Sequence, residues 1–351
     1  MNKREDSSAE KTGVAVIGCG AIHGMHAGAI ANLPSLQLIG VADCNKERAL
    51  ASAGKYGCQA FENYHELLGN ERVQAVHICL PHYLHALVAI EALRAGKHVF
   101  CEKPMAISTR DAEAMLEASE KSGRKLGICL QNRYNPSTIK VWEMLSSGKA
   151  GRLLGMRASL CWHREPEYYI ESGWRGKWAT EGGGVLINQA IHTLDLMQWL
   201  GGKVEEVSSC ISTRLLSDII EVEDTADVTL RFQNGAVGLL YATNTYVENA
   251  PLEVEIICEN MRFHLCNGLT VIHPDGKTES FDDNNDRSDS KFYWGNSHER
   301  IIRDFYSRIA GGQAPAVDGY EGITVIRLLD AIYQSAKAGR KIVLAAGKQV
   351  Y

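Results

Sequence analysis

The sequence predicts an α/β fold in two parts: a parallel sheet covered by helices on both faces, then an α/β half with an open, mostly antiparallel sheet. Three observations lead there. Up to about residue 130, short apolar runs alternate with helical segments, and strands apolar on both faces belong to parallel sheets buried between helices. Beyond Arg152 several strands follow one another directly, and Thr225–Phe232 places Ala226, Val228, Leu230 and Phe232 on one face with the period of a half-buried strand. Between the first strand and the first helix stands Gly18-Cys19-Gly20, a turn that lets a phosphate approach the helix N-terminus closely.

In chain order, the first half reads as strands at 14–17, Leu36–Ala42, 76–80, 97–101 and 126–130. Helices at 22–32, 46–55, 64–68, 82–95 and Thr109–Ser122 fall between them. In the second half, Asn234-Gly235 predicts a two-residue type I′ hairpin turn after Thr225–Phe232, with a return strand at 236–245. Segments 252–259 and 261–266 form another hairpin through Asn260. Helices are expected at 184–200, 297–309 and Gly319–Ala338, the last stopped by Gly339 before a strand at 341–344. The boundary falls at about residue 130, giving a dinucleotide-binding domain over 12–130 and a substrate-binding, oligomerising domain over 131–345. Residues 1–12 are polar and read as a frayed tail rather than a signal peptide, and 282–290 as a solvated acidic loop.

Composition narrows the function classes. A 45% apolar and 23% charged chain is ordinary for a globular protein. A net charge of −5 lacks the basic excess of a nucleic-acid surface, and no run approaches the ~20 apolar residues of a membrane span. The ten cysteines are scattered with no C-x-x-C pair, as expected of reduced thiols in a cytoplasmic protein.

The candidate chemistry gathers at strand ends. Gly18, Gly20, Ala21 and Ile22 form the turn into the first helix, although His23 stands where the usual third glycine would be. Asp43 ends the second strand, where an acid accepts hydrogen bonds from adenosine ribose hydroxyls and repels a 2′-phosphate; this favours NAD(H) over NADP(H). Glu102-Lys103-Pro104 closes an apolar strand at the sheet edge where open α/β folds bind ligands. On the 184–200 segment Asn188, His192 and Asp195 fall on one helical stripe, a polar face cut through an apolar helix. A metal site there is disfavoured because nothing in the sequence completes a ligand set.

These motifs resemble the glucose–fructose oxidoreductase/inositol dehydrogenase (Gfo/Idh/MocA) family. The resemblance is carried by Gly18-Cys19-Gly20 with His26, Glu102-Lys103-Pro104, the run from Gly182-Gly183-Gly184 through Asn188 and His192 to Asp195, Asp304-Phe305, Gly319 to Gly322, and Ala331 to Ser335. It spans about residues 12 to 345. It implies a Rossmann domain, an α/β domain whose open sheet mediates homodimers or homotetramers, and NAD(P)-dependent redox chemistry on sugars, cyclitols and their derivatives. It places the catalytic lysine on Lys103 and the catalytic histidine on His192. Glu102 falls where members contact the nicotinamide-side ribose, Leu80, Pro81 and His85 in the loop lining the nicotinamide, and Pro104 where many carry a cis-proline. Inositol dehydrogenase-like members have aspartate where this chain has Asn188, so a proton relay through that position is not expected here.

Lysine stabilises a developing alkoxide, and histidine exchanges protons near neutrality. Trp162 to Glu165, Tyr168-Tyr169 and Trp174 to Trp178 mix aromatic faces with polar groups, as sugar pockets do. Arg164, Trp174, Arg175, Asn188, His192 and Asn132 are the candidate substrate residues, with Tyr293-Trp294 behind them. The expected reaction is oxidation of a ring hydroxyl of a sugar or glycoside, with the 3-position in view. A redox-neutral NAD-dependent glycosidase, a nucleotide-sugar or inositol dehydrogenase, and a non-catalytic sugar sensor are the alternatives.

Overall fold

The computed structural model describes residues 11–283 and 297–344. The first half alternates as expected, with one further strand, β3, that the sequence does not predict: β1 (Thr12–Ile17), α1 (His23–Asn32), β2 (Leu36–Ala42), α2 (Lys46–Tyr56), β3 (Gln59–Phe61), α3 (Tyr64–Gly69), β4 (Ala75–Ile78), α4 (His82–Arg94), β5 (His98–Cys101), α5 (Thr109–Ser122) and β6 (Leu126–Ile128). Side chains define several helix starts. Asn45 accepts from Arg48 N–H at α2, and Ser108 accepts from Asp111 N–H at α5. All six strands are parallel, in the order β3-β2-β1-β4-β5-β6. Strand order reverses between β1 and β4, and ligands of open α/β sheets bind outside the carboxyl ends at such a point. The residues leaving those two strands are Gly18–Gly20 and Cys79–Pro81.

A 3-10 turn (Gln131–Tyr134) and α6 (Pro136–Ser146) lead to β7 (Leu153–Cys161), α7 (Pro166–Ile170), α8 (Val185–Asn188), α9 (Ile191–Gly201) and β8 (Val204–Ser212). Then come β9 (Thr225–Phe232), β10 (Val237–Thr243), β11 (Glu253–Cys258), β12 (Arg262–Leu265), β13 (Leu269–Ile272), β14 (Thr278–Phe281), α10 (His298–Ala310), α11 (Gly319–Ala338) and β15 (Ile342–Val343). The second sheet has nine strands in the order β14-β13-β12-β11-β7-β10-β9-β8-β15, antiparallel except for the β7–β10 pair.

Two local expectations are corrected. The β9–β10 loop is not a type I′ turn, because only Gly235 has positive φ (+87°). Gly235 N–H donates to Phe232 O and Phe232 N–H to Ala236 O, making a type I turn with a left-handed glycine bulge. The Asn234 amide donates to Gly201 O while its oxygen accepts from Ala236 N–H, and this ties the residue to negative φ. The expected helix over 184–200 is also two helices, with a break at Gln189-Ala190. Both of those N–H groups donate to Val185 O, and the hydrogen-bond ladder restarts at Ala190 O.

The last two helices tie the halves together. α10 packs beside α1, and α11 lies across α5, β6 and β8. Phe100 of β5 packs at a tilt against Phe305 of α10, ring centroids 5.1 Å apart and both buried, so a late helix completes the first sheet's core. All ten cysteines are free, and no described helix is long and apolar enough to cross a membrane.

Candidate active site

Gly18 turns with φ +96°, and a Cβ there would lie 2.4 Å from Cys79 O, so the turn admits only glycine. At Gly20 no atom lies within 4 Å of where a Cβ would stand. The N-cap Ile22 supplies no side-chain acceptor to the first turn of α1. An open cradle at a helix start without a side-chain cap fits a pyrophosphate. Ala21 is exposed and Ile22 half-buried at its rim. Asp43 is locked at the end of β2, where Oδ2 accepts from Cys19 N–H and Oδ1 from Asn45 N–H, both at 2.8 Å. Each oxygen keeps a lone pair for a ribose hydroxyl.

Leu80 and Pro81 leave β4 half-buried. His85 is buried, with Nδ1 2.7 Å from Pro104 O and Nε2 2.8 Å from Leu80 O. Both ring nitrogens face backbone carbonyls, so His85 braces this loop against the turn after β5. That turn contains a cis Lys103-Pro104 bond.

Glu102 is buried and accepts from His26 Nε2 at 2.8 Å; His26 Nδ1 in turn accepts from His77, whose other nitrogen accepts from Tyr306. Burial alone would push the Glu102 carboxyl up. The hydrogen bond from His26, with the positive charge of Lys103, overrides it and holds the carboxyl well below the usual range. Donor atoms of His26, Glu102, Cys129 and His298 lie within 4.8 Å of one another, a cluster no sequence spacing announces. His26 and Glu102 already satisfy each other in it.

Lys103 is half-buried and donates from Nζ to Asn188 O at 2.7 Å, which brings the turn after β5 onto the end of α8. Burial draws its pKa below the usual lysine value, against the pull of Glu102. His192, half-buried in the first turn of α9, accepts from the Gln131 side-chain amide at 3.3 Å. Its Nδ1 is buried without a partner among the described residues. Burial first, and then the charge on Lys103, push its pKa down to about 3. In place of titration near neutrality, burial favours the neutral imidazole at His192.

Asp195 does not join this group. It takes both Nε and Nη2 of the buried Arg133, at 2.9 and 2.6 Å, so the expected three-residue stripe reduces to Asn188 and His192. The start of α8 is itself held from outside, since Val185 N–H donates to Glu223 O and Leu186 N–H to Glu223 Oε1.

The wall beside Asn188 centres on Tyr168, whose hydroxyl accepts from the Asn188 and Gln189 side chains, each at 3.3 Å. The Arg175 guanidinium lies 4.3 Å over the Tyr168 ring and 4.6 Å over Trp174, and its Nε is buried with no partner among the described residues. Arg164 sits over Trp162 and Tyr168 and donates to Asn249. Trp174 packs on the His82 ring at 4.7 Å. Trp162 is buried in the core, and Trp178 stands edge-on to Tyr333, so of these three tryptophans only Trp174 joins the Arg175 stack. Asn132 is buried with its Oδ1 unpartnered among the described residues. Tyr293-Trp294 lie outside the described residues.

Sequence reasoning passed over Gln131, His82, Glu223 and Glu181. Glu181 is 1% exposed and accepts from Gly176 N–H at 2.6 Å and from the Asn188 amide. Its only sequence signal is its place directly before Gly182-Gly183-Gly184.

Residues 12–129 match the profile of an oxidoreductase family with an NAD-binding Rossmann fold, and residues 138–264 match the GFO/IDH/MocA C-terminal domain. The chain is 26% identical to myo-inositol 2-dehydrogenase of Thermotoga maritima over 94% of its length and 98% of that protein's. It is 27% identical to D-glucoside 3-dehydrogenase of Escherichia coli, covering 94% and 97%. Among solved structures, the WlbA dehydrogenase of Bordetella pertussis, determined with NADH and UDP-GlcNAcA, superposes with a TM-score of 0.84 at 31% identity, covering 96% of this chain and all of that one.

Proposed function

The chain belongs to the GFO/IDH/MocA family of NAD-binding oxidoreductases, and we propose that it oxidises a ring hydroxyl of a sugar or glycoside to a ketone, with the 3-hydroxyl first in view. One observation carries the reading: the Lys103 amine meets the backbone of Asn188 at 2.7 Å, just before α9, and its charge acts on His192, which supports a shared site for the two. Bound at Gly18–Gly20 and Asp43, NAD supplies the hydride acceptor. Lys103 stabilises the negative charge that grows on the substrate oxygen, an effect strengthened by its partial burial. His192 takes the hydroxyl proton. Burial and the Lys103 charge lower its pKa, which keeps the ring in the proton-accepting form. Asn188 and the stack of Trp174 and Arg175 hold the sugar.

A nucleotide sugar is the second reading, and Arg175 favours it. A guanidinium with a buried, unbonded Nε and no carboxylate partner among the described residues suits an anionic substrate, and the Bordetella enzyme was determined with UDP-GlcNAcA. A screen of free sugars, glycosides, cyclitols and nucleotide sugars, read by NADH formation, separates these readings. Aglycone release without net NADH would replace the dehydrogenase reading with that of a redox-neutral glycosidase.

The enzyme assembles through the sheet face turned away from its helices. Leu239, Tyr241 and Ile257 are exposed there beside the Arg157–Glu255 pair, and a second copy of the chain is the proposed cover, giving a homodimer or homotetramer.

A further inference from the structure

Asn188 is the last residue of α8, and the helix ladder breaks immediately after it. Helical hydrogen bonding therefore does not fix its side chain. Two contacts do so instead: its amide nitrogen donates to Glu181 Oε1 and to Tyr168 OH, while its main-chain carbonyl separately accepts from the Lys103 amine. Glu181 is the strongest of these anchors. It sits almost fully buried, with its other oxygen held by Gly176 N–H. The charged and titratable groups around it are Arg175 from the preceding loop, Lys103 after β5, Tyr168 and Tyr169 of α7, Glu223 before β9 and Tyr333 of α11. His82 of α4 holds the Glu181 backbone carbonyl at 2.9 Å.

We propose that Glu181 is a positioning residue for the reaction: its ionised carboxylate orients the Asn188 side chain, so that the Asn188 side-chain oxygen is offered to a substrate hydroxyl beside the main-chain carbonyl that already holds the Lys103 amine. The inference rests on the Lys103–His192 reading above. It follows from what each group donates. An ionised carboxylate only accepts, which fixes the Asn188 amide nitrogen toward Glu181. A protonated carboxyl donates, and the amide would then turn its oxygen inward and present nitrogen to the sugar. Burial pushes the Glu181 carboxyl up to about 7, so this exchange falls within the working range of the enzyme. The site keeps a carboxylate next to position 188 although that position is itself an asparagine.

The test uses the full-length enzyme on its best sugar substrate. The parent should lose kcat/KM below about pH 7, and Glu181→Gln should abolish that acid limb and lower the plateau about tenfold or more, the scale of a lost charged hydrogen bond. NAD affinity should be unchanged, which also reports a folded protein. Moving the carboxylate in Glu181→Gln/Asn188→Asp should recover part of the loss. Asn188→Asp alone should be impaired and shift the limb upward, because two touching carboxyls cannot both ionise. A Glu181→Gln enzyme with the parental pH profile and rate, or a double variant no better than Glu181→Gln, overturns the proposal. Inactive Lys103→Met and His192→Ala enzymes beside an unaffected Glu181→Gln would remove this inference alone; active ones would remove the catalytic reading beneath it.

Discussion

Replacing Asp195 with alanine should destabilise the protein without touching the chemistry. Arg133 is 5% exposed and Asp195 1% exposed, and two hydrogen bonds of 2.9 and 2.6 Å join them. Removing one partner of such a pair leaves an uncompensated buried charge, at about 3–5 kcal/mol. Here the guanidinium keeps Glu321 at 2.6 Å, but that carboxylate is 46% exposed and partly screened, so the lower end, about 3 kcal/mol, is expected. With a urea m-value of about 3 kcal/mol/M, the midpoint should fall by about 1 M. Glu321→Gln should cost less than about 1 kcal/mol, and Arg133→Met/Asp195→Leu should recover much of the Asp195→Ala loss. The assay is urea unfolding followed by tryptophan fluorescence, with turnover measured in parallel without denaturant. An Asp195→Ala protein as stable as the parent, or one as stable but inactive, would refute the structural role and return Asp195 to the active site.

Other expectations follow from the same contacts. Asp43→Ala should weaken NAD binding and narrow the gap to NADP, measured as Kd for each; a parent that prefers NADP by about tenfold, or about 1.4 kcal/mol, contradicts the role given to Asp43. Burial keeps His77, His82, His85, His192 and His298 neutral, with His298 down to about 4 and His192 to about 3. Their folded pKa values lie below the unfolded value of 6.5, so the stability they contribute is present above that pH and is lost as pH falls toward the folded values. Glu181 and Glu223, each raised to about 7, act oppositely, since the stability they contribute below 4.5 is lost as pH rises through 7. Five imidazoles outweigh two carboxyls, so Tm should be lower at about pH 5.5 than at about pH 7.5, and a flat or inverted profile contradicts the burial account. Leu239→Glu should dissociate the assembly in light scattering, and an unchanged mass would move the interface elsewhere.

The parallel half was legible because its central strands are apolar on both faces and its turns carry glycine or a capping residue. The short edge strand β3, Gln59–Phe61, is half-exposed and carries no such run. Thr225–Phe232 and Gly319–Ala338 were readable for a different reason, since their one-sided apolar periods are unbroken. Errors came where a distant group decides. The start of α8 is fixed by Glu223, far along the chain, which accepts from Val185 and Leu186, and the break after α8 comes where Gln189 and Ala190 both donate to Val185 O. Asp195 looked like a site residue until Arg133 was found against it. The strand-end motifs gave Gly18, Asp43 and Lys103 their places, because a sheet edge is a fixed address. Glu181 and Gln131 carry no such address, and only the folded chain brings them to Asn188 and His192.

The central claim is that the positive charge on Lys103 drives oxidation of a sugar hydroxyl with NAD as acceptor. Steady-state NADH formation by Lys103→Met tests it most directly, because methionine keeps the length of the side chain and removes its charge. The account predicts a kcat loss of about 10²–10³-fold or more, the scale of removing one preorganised stabiliser of a developing oxyanion. Turnover within a few-fold of the parent on the same sugar would contradict it.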